Sequence, residues 1–284
     1  MTDVGEGFPH LPEPVESEIG TGPAYRESWS QFSGLLYREL VKTYRNPWII
    51  AITVIQPFMW LAFFGSSFSG AGCAIVLPLT NYVTCNYIQF LLGGVLATSM
   101  LTIGMFGSMS MIQDKRFGYL KRVLITPTRR SSVFLAKSVG ATTRGLIQFP
   151  VMIVAAFAFG VRFSISPLEW MGWVVALFFL GLGFSSLYLT ITARSTDWQT
   201  PGVLSNLITM PLMFTSTALF PAVNFPWWMQ DISKVNPVTY AALFGRNLAL
   251  FGTANWEYLG FLAIFATVMV ALGALVYSRW LKVE

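Results

Sequence analysis

Hydrophobic positions along the chain gather into six long runs, at approximately Ile49–Phe68, Tyr87–Met111, Val139–Val161, Trp170–Ile191, Gly202–Phe220 and Tyr258–Tyr277. Each comes to about the 20 residues a helix needs to cross roughly 30 Å of hydrocarbon. Barrel strands would alternate instead of running on apolar, so the expected fold is an all-α integral membrane protein with six transmembrane helices. Ahead of the first run, "SWSQFSGLLYRELVKTYRN" sets Trp29, Phe32, Leu36, Leu40 and Tyr44 at helical spacing, with Arg38, Glu39, Lys42 and Arg45 mostly elsewhere around the wheel. That pattern predicts an amphipathic interfacial helix over 28–46, ended by Asn46-Pro47, with its aromatic face in the acyl boundary. After the fifth run, Pro221, Pro226 and Pro237 divide a long loop into short apolar pieces. Short re-entrant helices between spans five and six are expected there, with Trp227 and Trp228 as interfacial anchors.

One polar interruption differs from the others. The stretch "QDKRFGYLKRVLITPTRR", residues 113–130, holds six basic residues and one acid, and its Phe117, Leu120, Val123 and Leu124 recur at i, i+3, i+6 and i+7. The spacing predicts a short helix with one apolar and one basic face, stopped before Pro127. Such a helix can seat in a groove on a soluble partner, although a solvated loop would satisfy the charges alone. A second basic helical start, "RRSSVFLAKSV", leads into span three.

Composition agrees with a membrane protein: of 284 residues 54% are hydrophobic and only 11% charged. Lys and Arg resist translocation, so their placement sets orientation. Arg26, Arg38, Lys42 and Arg45 precede span one; Lys115 to Lys137 carry seven between spans two and three; Arg194, Arg279 and Lys282 fall on the same side. The other side has Arg162, Lys234 and Arg246. Both termini are therefore expected in the cytoplasm of a multi-pass protein of the cell (plasma) membrane. The net charge of +5 reads as a topological signal, with anionic lipid as a secondary partner and nucleic acid excluded. Residues 1–27, rich in Pro, Gly and acids without a basic start and an apolar run, are expected to be a disordered tail and not a signal peptide. Cys73 and Cys85, the only cysteines, share the first outer segment, where a disulfide and two unpaired thiols are both open readings.

Reactive chemistry is sparse. The only histidine, His10, lies in the tail, no metal-ligand spacing or G-x-x-x-x-G-K-[ST] loop is present, and the span cores lack Asp and Glu. The energy for any work is expected from a partner. Arg144, the one basic residue well inside a span and near the cytoplasmic end of span three, is expected to snorkel to the interface, with a substrate-charge role as the lesser alternative. Gly104 and Ser108 in span two, and Gly181, Gly183 and Ser185 in span four, are expected to let helices approach closely.

Four separated features resemble the type-2 permease family of ATP-binding-cassette exporters, which includes drug-resistance and lipo-oligosaccharide exporters. They are "IQPFMWLAFFG" in span one, "DKRFGYLKRVLITPTRR" after span two, "ALFPAVNFPWWMQDISKVNP" after span five, and "NPVTYAALFGRNLA" before the last span. Span two departs from the pattern, with Gly93-Gly94 where the family often has Pro-Gly. The resemblance implies a permease domain over 47–284, two permease subunits forming the pathway, and two separate cytoplasmic ATPase subunits that bind ATP and Mg, with no cofactor in this chain. It implies that Asp114, Arg116, Gly118, Leu120, Leu124 and Pro127 lie on the helix the ATPase grips, with Arg194 and Asp197 as a second, smaller contact. Spans one, two and five would line the pathway, with Thr209, Met213 and Phe214 as candidates on span five, for an amphipathic, lipid-linked or glycan-type cargo moved outward. Two other classes stand beside this one: a membrane-embedded lipid-modifying enzyme, for which the outer side offers Asp231, Lys234 and Glu257, and a sensor or scaffold without transport.

Overall fold

The computed structural model of the chain describes residues 24–67, 87–119, 130–193, 195, 197 and 199–280. Helix is the only regular secondary structure among these residues, with no strand among them. The first helix, α1 (Ala24–Tyr44), starts a few residues before the expected interfacial helix and ends at a turn before Pro47. It is followed by α2 (Pro47–Ser67), α3 (Tyr87–Arg116), α4 (Arg130–Leu146), α5 (Gln148–Ala158), α6 (Pro167–Thr192) and α7 (Gln199–Phe214). A 3-10 turn at Ala222–Asn224 leads to α8 (Trp227–Val235), α9 (Pro237–Phe251) and α10 (Trp256–Trp280). Five stretches are long and apolar enough to cross a membrane: Ile50–Ser67, Tyr87–Arg116, Arg130–Ala158, Pro167–Thr192 and Trp256–Arg279. Together they make this a multi-pass membrane protein.

The fifth expected span is corrected in length. Its helix stops at Phe214, after 16 residues, a rise of roughly 24 Å. Residues 215–220 turn inward instead, and Ser216, Thr217, Ala218 and Leu219 are buried. Pro211 removes one backbone donor from the last turn, and non-helical backbone at such depth is tolerated where protein covers it. Here the cover is α9: Arg246 is buried, its guanidinium donates to the carbonyls of Thr217 and Phe90, and it stacks 3.5 Å over the Phe90 ring.

The central helix is α3, packed upon by α2, α4, α6 and α9. Its Gly93-Gly94 pair has a structural reason. A Cβ at Gly93 would lie 2.7 Å from the backbone nitrogen of Arg246, and one at Gly94 would collide with the Ala218 carbonyl. Lower on the same helix, a Cβ at Gly104 would sit 3.0 Å from the Ser185 nitrogen, so the small residues of α3 and α6 serve packing within the chain. At the far end from the basic residues, Ser166 and Glu169 form a reciprocal capping box that starts α6. Gly252, left-handed at φ 62°, ends α9. Trp227 and Trp228 are exposed on α8, as interfacial anchors would be.

Candidate functional site

The basic end of the bundle carries the densest polar structure in the described residues. Helix α1 lies against α4 because Gly140 has no side chain: a Cβ there would come within 2.9 Å of the Glu39 Cβ. The close crossing buries Glu39 (5% exposed) beside Asp114 (4%), which sits in the last turn of α3. From α4, Lys137 reaches both carboxylates, donating to Glu39 Oε1 at 3.1 Å and in close contact to Asp114 Oδ2. Arg38 Nη1 lies 3.2 Å from Glu39 Oε1 and 3.3 Å from Asp114 Oδ2, and the guanidinium covers the Tyr119 ring at 3.5 Å. Burial alone would weaken the Arg38 charge, but its hydrogen bond to Asp114 and the charge of that carboxylate outweigh it and raise the pKa above the usual guanidinium value. Two more cations stand further off. Lys42 Nζ is 3.7 Å from Asp114 Oδ1, and Arg144 Nη2 is 3.9 Å from Glu39 Oε2. Arg144 Nε donates to Thr43 Oγ1 at 3.0 Å.

Three helices far apart in sequence are therefore fastened by charge at one level. A fourth element joins through the neighbouring residue: Lys115 donates to the carbonyls of Ala193 and, at 3.4 Å, Ser195. This ties the foot of α3 to the connection between α6 and α7.

The expected residues divide accordingly. Asp114 is turned inward to the cluster, so it is unavailable as a surface contact, whereas Arg116 is exposed. The short helix expected to lead from span two and stop before Pro127 is interrupted in its described part: α3 ends at Arg116, and Gly118, left-handed at φ 70°, breaks it with its N–H on the Lys115 carbonyl at 3.1 Å, while residues 120–129 lie outside the described residues. Phe117, 84% exposed, projects at this break. Leu120, Leu124, Pro127 and Arg194 lie outside the described residues, as do Cys73 and Cys85. Asp197 is exposed, its carbonyl accepting from Ser195 Oγ at 3.3 Å. On α1, Trp29 is exposed and Phe32, Leu36 and Leu40 are half-buried, while Glu39 is enclosed where a solvated face was expected. Arg144 is likewise corrected: it points into the cluster, 7% exposed, and does not snorkel.

Lys137 was hidden in sequence as one more cation of the basic stretch. Its place at the start of an apolar run is the available signal, since an ionisable side chain there tends to face the bundle interior and pair.

Above the cluster, α2, α3, α5 and α7 enclose a cavity of about 40 Å³. Gln56, Thr98, Ser99, Thr102 and Gln148 line it with Trp60, Phe106 and Met213. Gln148, placed by the break between α4 and α5, donates to Ser99 Oγ, and its Oε1 has no protein partner. Of the three span-five candidates, only Met213 reaches this cavity. Thr209 is hydrogen-bonded to Tyr188 at 2.6 Å and Phe214 is 52% exposed.

A family model described as ABC-2 type transporter matches residues 30–244. Among individual proteins, the chain is 28% identical over 235 residues to a putative transport permease of Pyropia yezoensis, covering 80% of this chain and 76% of that one. It is 23% identical over 255 residues to a daunorubicin resistance ABC transporter permease of Streptomyces coeruleorubidus, covering 90% and 87%. It is also 23% identical over 178 residues to nodulation protein J of Rhizobium meliloti (strain 1021), covering 61% and 64%. The match spans α1, the central helix, the charged cluster and most of α9, and the chain belongs to the ABC-2 type transporter family, as a transmembrane permease of an ABC transporter.

Proposed function

We propose that the chain is the permease subunit of an exporter, which moves an amphipathic, lipid-linked or glycan-type cargo outward through the cell membrane. Permeases of this family work with ATP-binding cassette subunits. In this reading the ATP and Mg sit on those separate cytoplasmic subunits, the chain itself is not an enzyme, and two permease subunits form the pathway. The short α7 with its inward-folded 215–220 segment counts as the fifth of six spans, and α8 and α9 re-enter from the outside. Both termini then face the cytoplasm, as does the charged cluster.

The observation that carries the reading is the fastening of α1, α3 and α4 around the root of segment 113–130. A permease changes state only as far as its partner favours one arrangement, so force must enter at a rigid point. The buried ion pairs supply rigidity, and Lys115 carries the same motion to the connection before α7. The cavity at Gln148 is too small for an amphiphile, so in this reading cargo passes only after the helices around it have moved apart. Inside-out vesicles holding the chain with its ATP-binding subunit are expected to accumulate an NBD-labelled phospholipid only with Mg and ATP. Equal accumulation by vesicles holding the chain alone would contradict the proposal.

A further inference from the structure

A second cavity, of about 200 Å³, opens beside the charged cluster. It lies between α1, α2, α3 and α4, with Lys42, Arg144, Ser110 and Gln113 on one part of its wall and Ile52 and Phe106 on another. The charge around it does not balance. Four cations, Arg38, Lys42, Lys137 and Arg144, share two carboxylates, Glu39 and Asp114, leaving an excess of two positive charges. The imbalance is also directional. Lys137 and Arg38 hold their carboxylates at hydrogen-bond distance, whereas Lys42 and Arg144 stand off at 3.7 and 3.9 Å. These two loosely held cations are the ones that face the cavity, and neither Glu39 nor Asp114 lines it.

Arg144, its side chain only 8% exposed, has no carboxylate at hydrogen-bond distance, and so poorly compensated a buried cation calls for an anion, with the more open Lys42 beside it as a second donor. Ser110, which accepts from Lys42 at 3.2 Å, adds a hydroxyl to the same wall. The other wall is apolar and open: Ile52 is 58% exposed and Phe106 37%. Thr53 and Phe106 line this cavity and the Gln148 cavity above it, so the two adjoin.

We propose that this cavity binds a phosphate-headed amphiphile, its phosphate between Lys42 and Arg144 and its chain along Ile52 and Phe106. A phosphate carries up to two negative charges and takes charge-assisted hydrogen bonds from lysine and arginine, which matches the excess on the wall. That the occupant is cargo rests on the exporter reading; that it binds does not, and the test needs no ATPase.

Native mass spectrometry of the purified full chain in a neutral maltoside detergent, titrated with dioctanoyl phosphatidate, measures the binding. Dioctanoylglycerol and inorganic phosphate separate the apolar and anionic shares, and both are expected to bind at least about tenfold more weakly than the phosphatidate. Lys42→Gln is expected to weaken phosphatidate binding roughly tenfold, Lys42→Arg to restore it, and Arg45→Gln, on an exposed residue outside the cavity, to leave it unchanged. Unchanged affinity in Lys42→Gln would overturn the proposal. So would dioctanoylglycerol binding as tightly as phosphatidate, which removes the headgroup's role, or inorganic phosphate doing so, which reduces the site to a bare anion pocket.

Discussion

Lys137 places one ammonium between carboxylates from two other helices, and it is 6% exposed. A buried pair adds little over a well-packed apolar substitute, but removing one partner strands the other. Lys137→Met leaves Glu39 and Asp114 facing each other with Arg38 as their main compensation. It is expected to cost about 3–5 kcal/mol, read as a lower midpoint in thermal unfolding of the detergent-solubilised chain. Adding Asp114→Asn to it should recover part of the loss, since the uncompensated charge is removed. A double variant no more stable than Lys137→Met would show that the cluster is not the unit the distances describe. Arg246 solves a related problem without a counter-charge. Its guanidinium is spent on two backbone carbonyls and the face of Phe90, and this holds the non-helical 215–220 segment inside the bundle.

Helix α3 shows what an element gains from missing side chains. Gly93 and Gly94 let α9 and the inward-folded segment touch its backbone, and Gly94→Val would drive a side chain into the Ala218 carbonyl. Because the obstacle is backbone, the expected cost is about 1–3 kcal/mol, with lost yield of folded protein in size-exclusion chromatography. Gly34→Ala on α1, with nothing within 4 Å of the added Cβ, should be silent in the same assay. A Gly94→Val chain as stable as the parent would mean that the inward-folded 215–220 segment does not pack against α3 as closely as this structure has it. Hydropathy found α3, α6 and α10 to within a few residues, because each is a single unbroken apolar run. It overran α7, since Thr215 to Phe220 carry no charge to end the run, and the turn there is held by the tertiary partner Arg246. The short helix expected from the apolar repeat of segment 113–130 is interrupted at Phe117 and Gly118, where that repeat competes with a glycine that takes the left-handed turn. Asp114 and Arg38 were legible as residues of interest. Their pairing was not, since 76 positions separate them and no local period encodes a meeting at that distance.

Across the whole molecule the two ends differ in kind. The end bearing Trp227 and Trp228 is closed by apolar packing, helix caps and backbone contacts, while the basic end is fastened by charge. Segment 113–130 leaves from this charged end, and its root is the one place among the described residues where α1, α3, α4 and the connection before α7 are tied together. A rigid root followed by a single left-handed glycine defines where a partner's motion would be passed on. Gly118→Glu places a side chain at φ 70° with open space around it, so the fold should survive while the direction of the segment changes. The most direct measurement of this account is the amount of labelled phospholipid transported per ATP hydrolysed in vesicles holding the chain with its ATP-binding subunit, compared between the parent and Gly118→Glu. The account predicts that the variant folds, retains its partner and hydrolyses ATP, with transport per ATP reduced at least about tenfold, a coupling loss of about 1.4 kcal/mol or more. An unchanged ratio would contradict it.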